Sequence, residues 1–310
     1  MECVMEDQMP ISTEEVRDWL ELPPDVLAHI FLKLGAMDIL FIAQSVCSTW
    51  RRVCREPLLF RSIVMRNRWY DMEKMTREAV DRSCGQLVEF SMENFGNDEL
   101  VNYIADRSGS LRRLRLVSCY QVSDDALVNM AKKAFMLEEL EICHCSFTEN
   151  MLKAVGKACL QLKSFRLNCR GYRHAIAGSD EEALAIAENM PQLRHLHLFG
   201  NKLTNAGLRA ILDGCLHLES LDLRQCFNLN LEGDSLKSCR ERHIKMRLPN
   251  DSTDDYEFDA LTDDGSYDED YPSGFSDVDV LSDDGYYEFS GDSYISDFEY
   301  DDEFVYYDFD

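Results

Sequence analysis

The sequence predicts an α/β protein: a three-helix N-terminal module, then a solenoid with parallel strands inside and helices outside, then a disordered acidic tail. Three observations predict it. A leucine pattern recurs through the middle of the chain at intervals of 24 to 31 residues. A short apolar helical pattern near the start opens on two prolines, "LPPDVLAHIFLKLG" from Leu22 to Gly35. Charge is also segregated. The chain has 310 residues and a net charge of −26, yet residues 251–310 hold 23 of its 58 acids and none of its 32 bases. The remainder, 35 acids against 32 bases, is nearly neutral, so the tail carries the charge.

The first helix is expected from Pro24, whose fixed φ and missing N–H suit the first helical position. Asp25 follows where the helix dipole favours an acid. Val26, Leu27, Ile30, Phe31 and Leu34 recur along one face, and Gly35 is a plausible stop. Asp38 is placed to cap a second helix carrying Ile39, Leu40, Ile42, Ala43 and Val46. Ser48 or Thr49 is placed to cap a third with Trp50, Val53 and Cys54, ended by Pro57. So small a bundle is marginal alone, and it carries more apolar side chains than it can hide. The surplus points to a partner surface.

The middle of the chain repeats "LRRLRLVSC" at Leu111 as "LEELEICHC" at Leu137, "LKSFRLNCR" at Leu162, "LRHLHLFGN" at Leu193 and "LESLDLRQC" at Leu218. A weaker unit, "LVEFSMENF", starts at Leu87. L-x-x-L-x-L followed by Cys or Asn, at this period, is the leucine-rich-repeat signature. Cys119, Cys145, Asn201 and Cys226 fill the Cys/Asn place, and Arg170 breaks it. A helix is expected after each strand. Ser123, Thr148 and Thr204 stand at three of the starts, and Ser179 with Glu182 reads as a capping box at a fourth. The long unit carries about six extra residues within Cys169 to Gly178. Insertions in repeat arrays fall in loops on one face, so Tyr172, with Arg170 and Arg173, reads as a recognition loop.

The N-terminal residues resemble the F-box pattern: Leu22-Pro23-Pro24-Asp25, Ile30, Phe31, Leu34, Asp38, then Val46-Cys47 and Trp50-Arg51. With the cysteine-bearing repeats and the acidic "PNDSTDDYEFDA" extension, residues 19 to 260 resemble plant F-box/LRR-repeat proteins. The resemblance implies a non-catalytic substrate receptor of a Skp–cullin–F-box ubiquitin ligase. It implies a Skp-type adaptor bound at Leu22, Pro23, Pro24, Ile30, Phe31, Leu34, Val46 and Trp50, a cullin reached through that adaptor, and a protein target on the repeats. The expected organisation is a leader at 1–18, the F-box at 19–60, a connecting helical segment at 61–82, repeats at 83–248, and an acidic, Tyr-rich disordered tail at 249–310.

Side chains alternate along a strand, so those between the core leucines form one open face. In order they are Glu89 and Ser91, Arg113 and Arg115, Glu139 and Glu141, Ser164 and Arg166, His195 and His197, Ser220 and Asp222. Strands about 4.8 Å apart would set Arg113 against Glu139, and Arg115 against Glu141 with Arg166 beyond. That ladder leaves His195, His197, Phe199 and Arg224 as the less self-satisfied end, where a target peptide is expected to dock. Two histidines do not make a zinc site, and no cofactor is expected. No nucleophile elbow, HExxH, phosphate loop or dinucleotide fingerprint occurs.

The N-terminus is acidic, with no secretory pattern, and no apolar run nears membrane-spanning length. The twelve cysteines include no CxxC pair. A reducing compartment, cytosol or nucleus, is expected, with no membrane or direct nucleic-acid partner. In the tail, nine of the thirteen tyrosines alternate with acids, and Tyr256-Glu257-Phe258 is echoed at Tyr287-Glu288-Phe289. Like-charge repulsion opposes a packed domain there. An alternative reading follows: a non-degradative binding protein whose acidic, aromatic tail engages basic partners such as histones.

Overall fold

The computed structural model describes residues 22–67, 71–169, 177–231 and 241–258. The leucines of each repeat cannot be buried by one strand and one helix; stacking buries them. Among the described residues eight strands form one sheet in chain order, every neighbouring pair parallel. They are β1 (Ser62–Arg66), β2 (Glu89–Glu93), β3 (Arg113–Val117), β4 (Glu139–Cys143), β5 (Ser164–Asn168), β6 (His195–His197), β7 (Ser220–Asp222) and β8 (Lys245–Arg247). Between them run α5 (Met72–Arg82), α6 (Asp98–Arg107), α7 (Asp124–Lys133), α8 (Glu149–Ala158), α9 (Glu181–Asn189) and α10 (Asn205–Gly214). Every second strand residue, such as Leu114, Leu140, Phe165, Leu196 and Leu221, is buried against these helices.

Two local devices repeat. A left-handed residue follows the strand at Asn94, Ser118, His144, Gly200 and Gln225. The next side chain then turns inward. Sγ of Cys119 reaches the Met92 carbonyl at 3.5 Å, that of Cys145 the Leu116 carbonyl at 3.8 Å, and that of Cys226 the Leu198 carbonyl at 2.8 Å. The second device ties helix starts together. Asp98 accepts from the Ser123 N–H and hydroxyl, both at 2.7 Å, and Asp180 does the same for Thr204. Asp124 accepts from Thr148 likewise. Ser123 and Thr204 in turn cap α7 and α10, accepting from Ala126 at 3.3 Å and Ala206 at 3.2 Å.

The N-terminal module comprises α1 (Pro24–Phe31), a second helical run over 36–46, and α4 (Ser48–Val53). The second run consists of α2 (Ala36–Asp38), a π turn (Ile39–Ala43) and α3 (Gln44–Val46). Gly35, at φ 84°, turns the chain between α1 and α2. Leu27, Phe31, Ile39, Leu40, Ala43 and Val53 close the module and join the core of the repeats. Arg82 locks the two together: its guanidinium donates to the Gln44 side chain at 3.0 Å and the Cys54 carbonyl at 3.4 Å, while pairing with Glu78 at 2.6 Å.

Four local expectations are corrected. Asp38 lies inside its helix, because Gly35 already starts it. Cys47, not Ser48 or Thr49, caps α4: its sulfur accepts from the Trp50 N–H at 3.4 Å. The capping box of Ser179 and Glu182 does not form. Asp180 holds the N-cap position with its carboxylate given to Thr204, and Glu182 accepts from Asn201 at 2.6 Å. The segment 61–82, expected as a helical connection, supplies a strand and a helix, β1 and α5, and so opens the sheet.

Neighbouring helices approach closely at glycine. A Cβ on Gly156 would lie 2.7 Å from the Asn189 carbonyl oxygen, where backbone cannot yield. Gly156→Ala gains about 1 kcal/mol of helix propensity but forces α8 from α9, an overpacking cost of about 1–3 kcal/mol. A lowered melting temperature in thermal denaturation is the expected result.

Candidate functional site

Two surfaces stand out: apolar side chains left outside the N-terminal module, and the open face of the sheet. In the module the apolar residues divide between inside and outside. Leu27 and Phe31 are fully buried, and Phe31 meets Trp50 edge to face with ring centroids 4.9 Å apart. Leu22, Ile30 and Trp50 are half-buried against the core. Pro23, Pro24, Val26, Leu32 and Leu34 are exposed. Ile42 and Val46, one helical turn apart, are 62% and 55% exposed. The expectation for Phe31 is thereby corrected, since its side chain fills the core and offers nothing to a partner. Ile42 is outside because the buried stripe of that run is Ile39, Leu40 and Ala43.

On the open face the strand register lines side chains into rows. One row runs Val64, Ser91, Arg115, Glu141, Arg166, His197, Asp222, Arg247. Arg115 pairs with Glu141 at 3.0 Å, and Arg166 reaches Glu141 from the other side at 3.6 Å. In the next row Arg113 bridges Glu89 and Glu139, the latter at 3.7 Å. His195 meets the Ser220 hydroxyl at 2.9 Å. A shallow groove of about 240 Å³ lies over the first strands, lined by Ser62, Val64, Ser91, Arg113, Arg115 and Glu141 among others.

The far end is not open, which corrects a second expectation. Arg224 is 5% exposed, and its guanidinium grips Asp222, with Nη2 to Oδ2 at 2.7 Å. Residues 249–258, expected at the start of the tail, fold back across the sheet as a strap. Gln225 donates its N–H to the Pro249 carbonyl at 3.0 Å, and Arg224 donates to the Ser252 carbonyl at 3.1 Å. Asp255 pairs with Arg224 at 2.6 Å and also with Arg247. The Tyr256 ring lies flat on Phe199, centroids 3.7 Å apart and planes within 4°. Glu257 lies 2.8 Å from Arg115 and 4.0 Å from Arg66. Phe258 meets His144 edge-on at 5.0 Å, with the Arg115 guanidinium over its ring at 5.5 Å. Phe199, expected as a docking point, is thus covered by this chain's own tyrosine.

Electrostatics follow the burial. Burial pushes the Asp222 carboxyl up, but hydrogen bonds from His197 and Arg224 outweigh it and hold the group far below the usual carboxylate range. Asp255 is held down by its hydrogen bond from Arg247, then by Arg224. Burial against the sheet raises the Tyr256 phenol. Every described cysteine is a free thiol, and no group of three metal-ligating side chains occurs among the described residues. No helix among them is long and apolar enough to cross a membrane. Tyr172 and Arg173, and with them the expected recognition loop, lie outside the described residues, while His195 and His197 share strand β6.

Comparison with known proteins adds a family. A profile described as F-box-like matches residues 19–66. F-box protein SKIP19 of Arabidopsis thaliana is 47% identical over 270 residues, covering 85% of this chain and 86% of that protein. F-box/LRR-repeat protein 22 of the same plant is 46% identical, covering 84% and 87%. F-box/LRR-repeat protein 23 is 47% identical over 251 residues, and the match spans 79% of this chain but just over half, 56%, of that protein.

Asp222→Asn breaks a buried ion pair, so a loss of about 3–5 kcal/mol at neutral pH is expected in denaturant unfolding. Because the folded pKa of Asp222 is depressed, its contribution is complete above the unfolded value of about 3.9 and is lost as pH falls through the folded one. Between pH 7 and pH 3 the variant should therefore lose less stability than the parent.

Proposed function

The chain belongs to the F-box/LRR-repeat proteins of plants, and on that premise we propose that it is the substrate-recognition subunit of a Skp–cullin–F-box ubiquitin ligase. Its N-terminal module would bind a Skp-type adaptor, the adaptor a cullin, and the repeats a target protein. The observation that carries the reading is the division of the module's apolar residues. Leu27, Phe31 and Ile39 close its core, while Leu34, Ile42 and Val46 remain outside with no intramolecular need to be apolar. An apolar surface left over on so small a bundle is what a protein partner covers.

Ubiquitin chemistry belongs to other subunits in this reading. The chain acts by proximity, since holding target and adaptor on one body raises the effective concentration of target lysines near the conjugating enzyme. Arg82, which fastens the module to α5, serves that task by limiting how far the two surfaces move apart. Free thiols at the described cysteines fit a reducing compartment, and we place the protein in the cytosol or nucleus.

The test uses exposed positions, so folding and docking separate. Leu34→Asp with Val46→Asp should weaken adaptor binding by at least about tenfold in calorimetry, because a buried charge at an apolar interface costs more than about 1.4 kcal/mol. The melting temperature should stay unchanged. Unaltered adaptor affinity would remove the receptor reading.

A further inference from the structure

Residues 253–258 are held on the sheet by side chains. Among the described residues no backbone hydrogen bond ties them to a strand; the Tyr256 N–H turns back to the Thr253 carbonyl at 2.8 Å. The contacts instead alternate. An acid, Asp255, sits between Arg224 and Arg247; an aromatic, Tyr256, lies on Phe199; an acid, Glu257, faces Arg115; an aromatic, Phe258, meets His144. The receiving surface is set by the strands, because Arg115 and Arg247 occupy one register row and Phe199 and Arg224 lie two residues past the ends of β6 and β7.

The fit is incomplete in two places. The Tyr256 hydroxyl is buried with no hydrogen-bond partner among the described residues. Arg115 Nη2, 2.8 Å from Glu257, approaches it as a charge without the alignment of a hydrogen bond. A buried unpaired hydroxyl costs about 1–3 kcal/mol. The strap is thus complementary in charge and shape yet carries a penalty that another segment of the same chemistry can avoid.

We propose that the part of the open face under the strap is a peptide-binding site for target segments of the form acid–aromatic–acid–aromatic, and that Asp255–Phe258 occupies it in cis until such a target displaces it. The site deepens the receptor reading by naming the chemistry of its target. The peptide specificity itself does not depend on adaptor docking. A cis occupant has a high effective concentration, on the order of millimolar for a short connection, so a target binds the resting chain far more weakly than the bare site. Arg66, Arg115, Arg224 and Arg247 give the selectivity for acids, and Phe199 gives it for a flat ring in the second place.

The test measures fluorescence anisotropy of a labelled peptide, PNDSTDDYEFDA, against the full-length chain. The chain carrying Tyr256→Ala and Phe258→Ala should bind it at least about tenfold more tightly than the wild type. Adding Arg115→Gln to that chain should remove most of the gain, and a scrambled peptide of equal composition should bind at least about tenfold more weakly. Equal binding of the scrambled peptide would reduce the site to charge attraction and overturn the proposal. So would failure of the strap variant to bind while its thermal transition is intact. If that variant does not fold, millimolar unlabelled peptide added to the wild type should speed hydrogen exchange at residues 249–258, and no acceleration overturns the proposal. The same proteins titrated with adaptor keep the two ideas apart: peptide binding without adaptor binding removes the receptor reading and leaves the site.

Discussion

The parallel register of the strands governs the rest of the molecule. A repeat with one five-residue strand and one helix cannot hide its own leucines, so each unit is folded only in the company of the next. Once the strands stack in register, buried leucines fall into one core running from Leu27 to Ile244. The alternate side chains fall into rows on the other face. Those rows are where like charges would collide, and the chain alternates Arg and Glu across β2 to β5 instead. Exposed pairs of this kind are each worth about 0–1 kcal/mol. Their effect is to keep a polyvalent surface neutral and its arginines aimed.

The same constraint fixes both ends. At the start, β1 and α5 present a finished unit against which the small helical module completes its core, and Arg82 reaches back to Gln44 and Cys54 across that junction. At the other end, Arg224 and Asp222 pair in a nearly dry setting, and the strap closes over Phe199. The two surfaces therefore belong to one continuous core while sharing no residue.

Much of this was legible from period alone. The recurrence at Leu111, Leu137, Leu162, Leu193 and Leu218 gave the strands, their order and the cross-strand partners, because a parallel register follows once the repeat is known. The F-box pattern placed three helices but did not sort inside from outside. Phe31 and Leu34 share a helical stripe in sequence, yet only Phe31 reaches Trp50. Capping residues were legible where the cap acts within its own helix, as at Ser123, and not where a neighbouring repeat claims the carboxylate, as at Asp180. The strap was hidden for a related reason. Composition assigns residues 249–258 to a repelling acidic tail. Only the folded sheet spaces Arg66 of β1, Arg115 of β3, Arg224 just past β7 and Arg247 of β8 along the strap, where they meet Glu257 and Asp255.

In the proposed receptor, one continuous core carries two separate docking surfaces, an apolar one on the helical module and an arginine-lined one on the sheet. Hydrogen–deuterium exchange of the full chain, with and without a Skp-type adaptor, tests it most directly. Slowed exchange confined to residues 24–53 is expected, with the strands and residues 249–258 unchanged. Absence of protection in residues 24–53, or protection spread over the open face of the sheet, would contradict it.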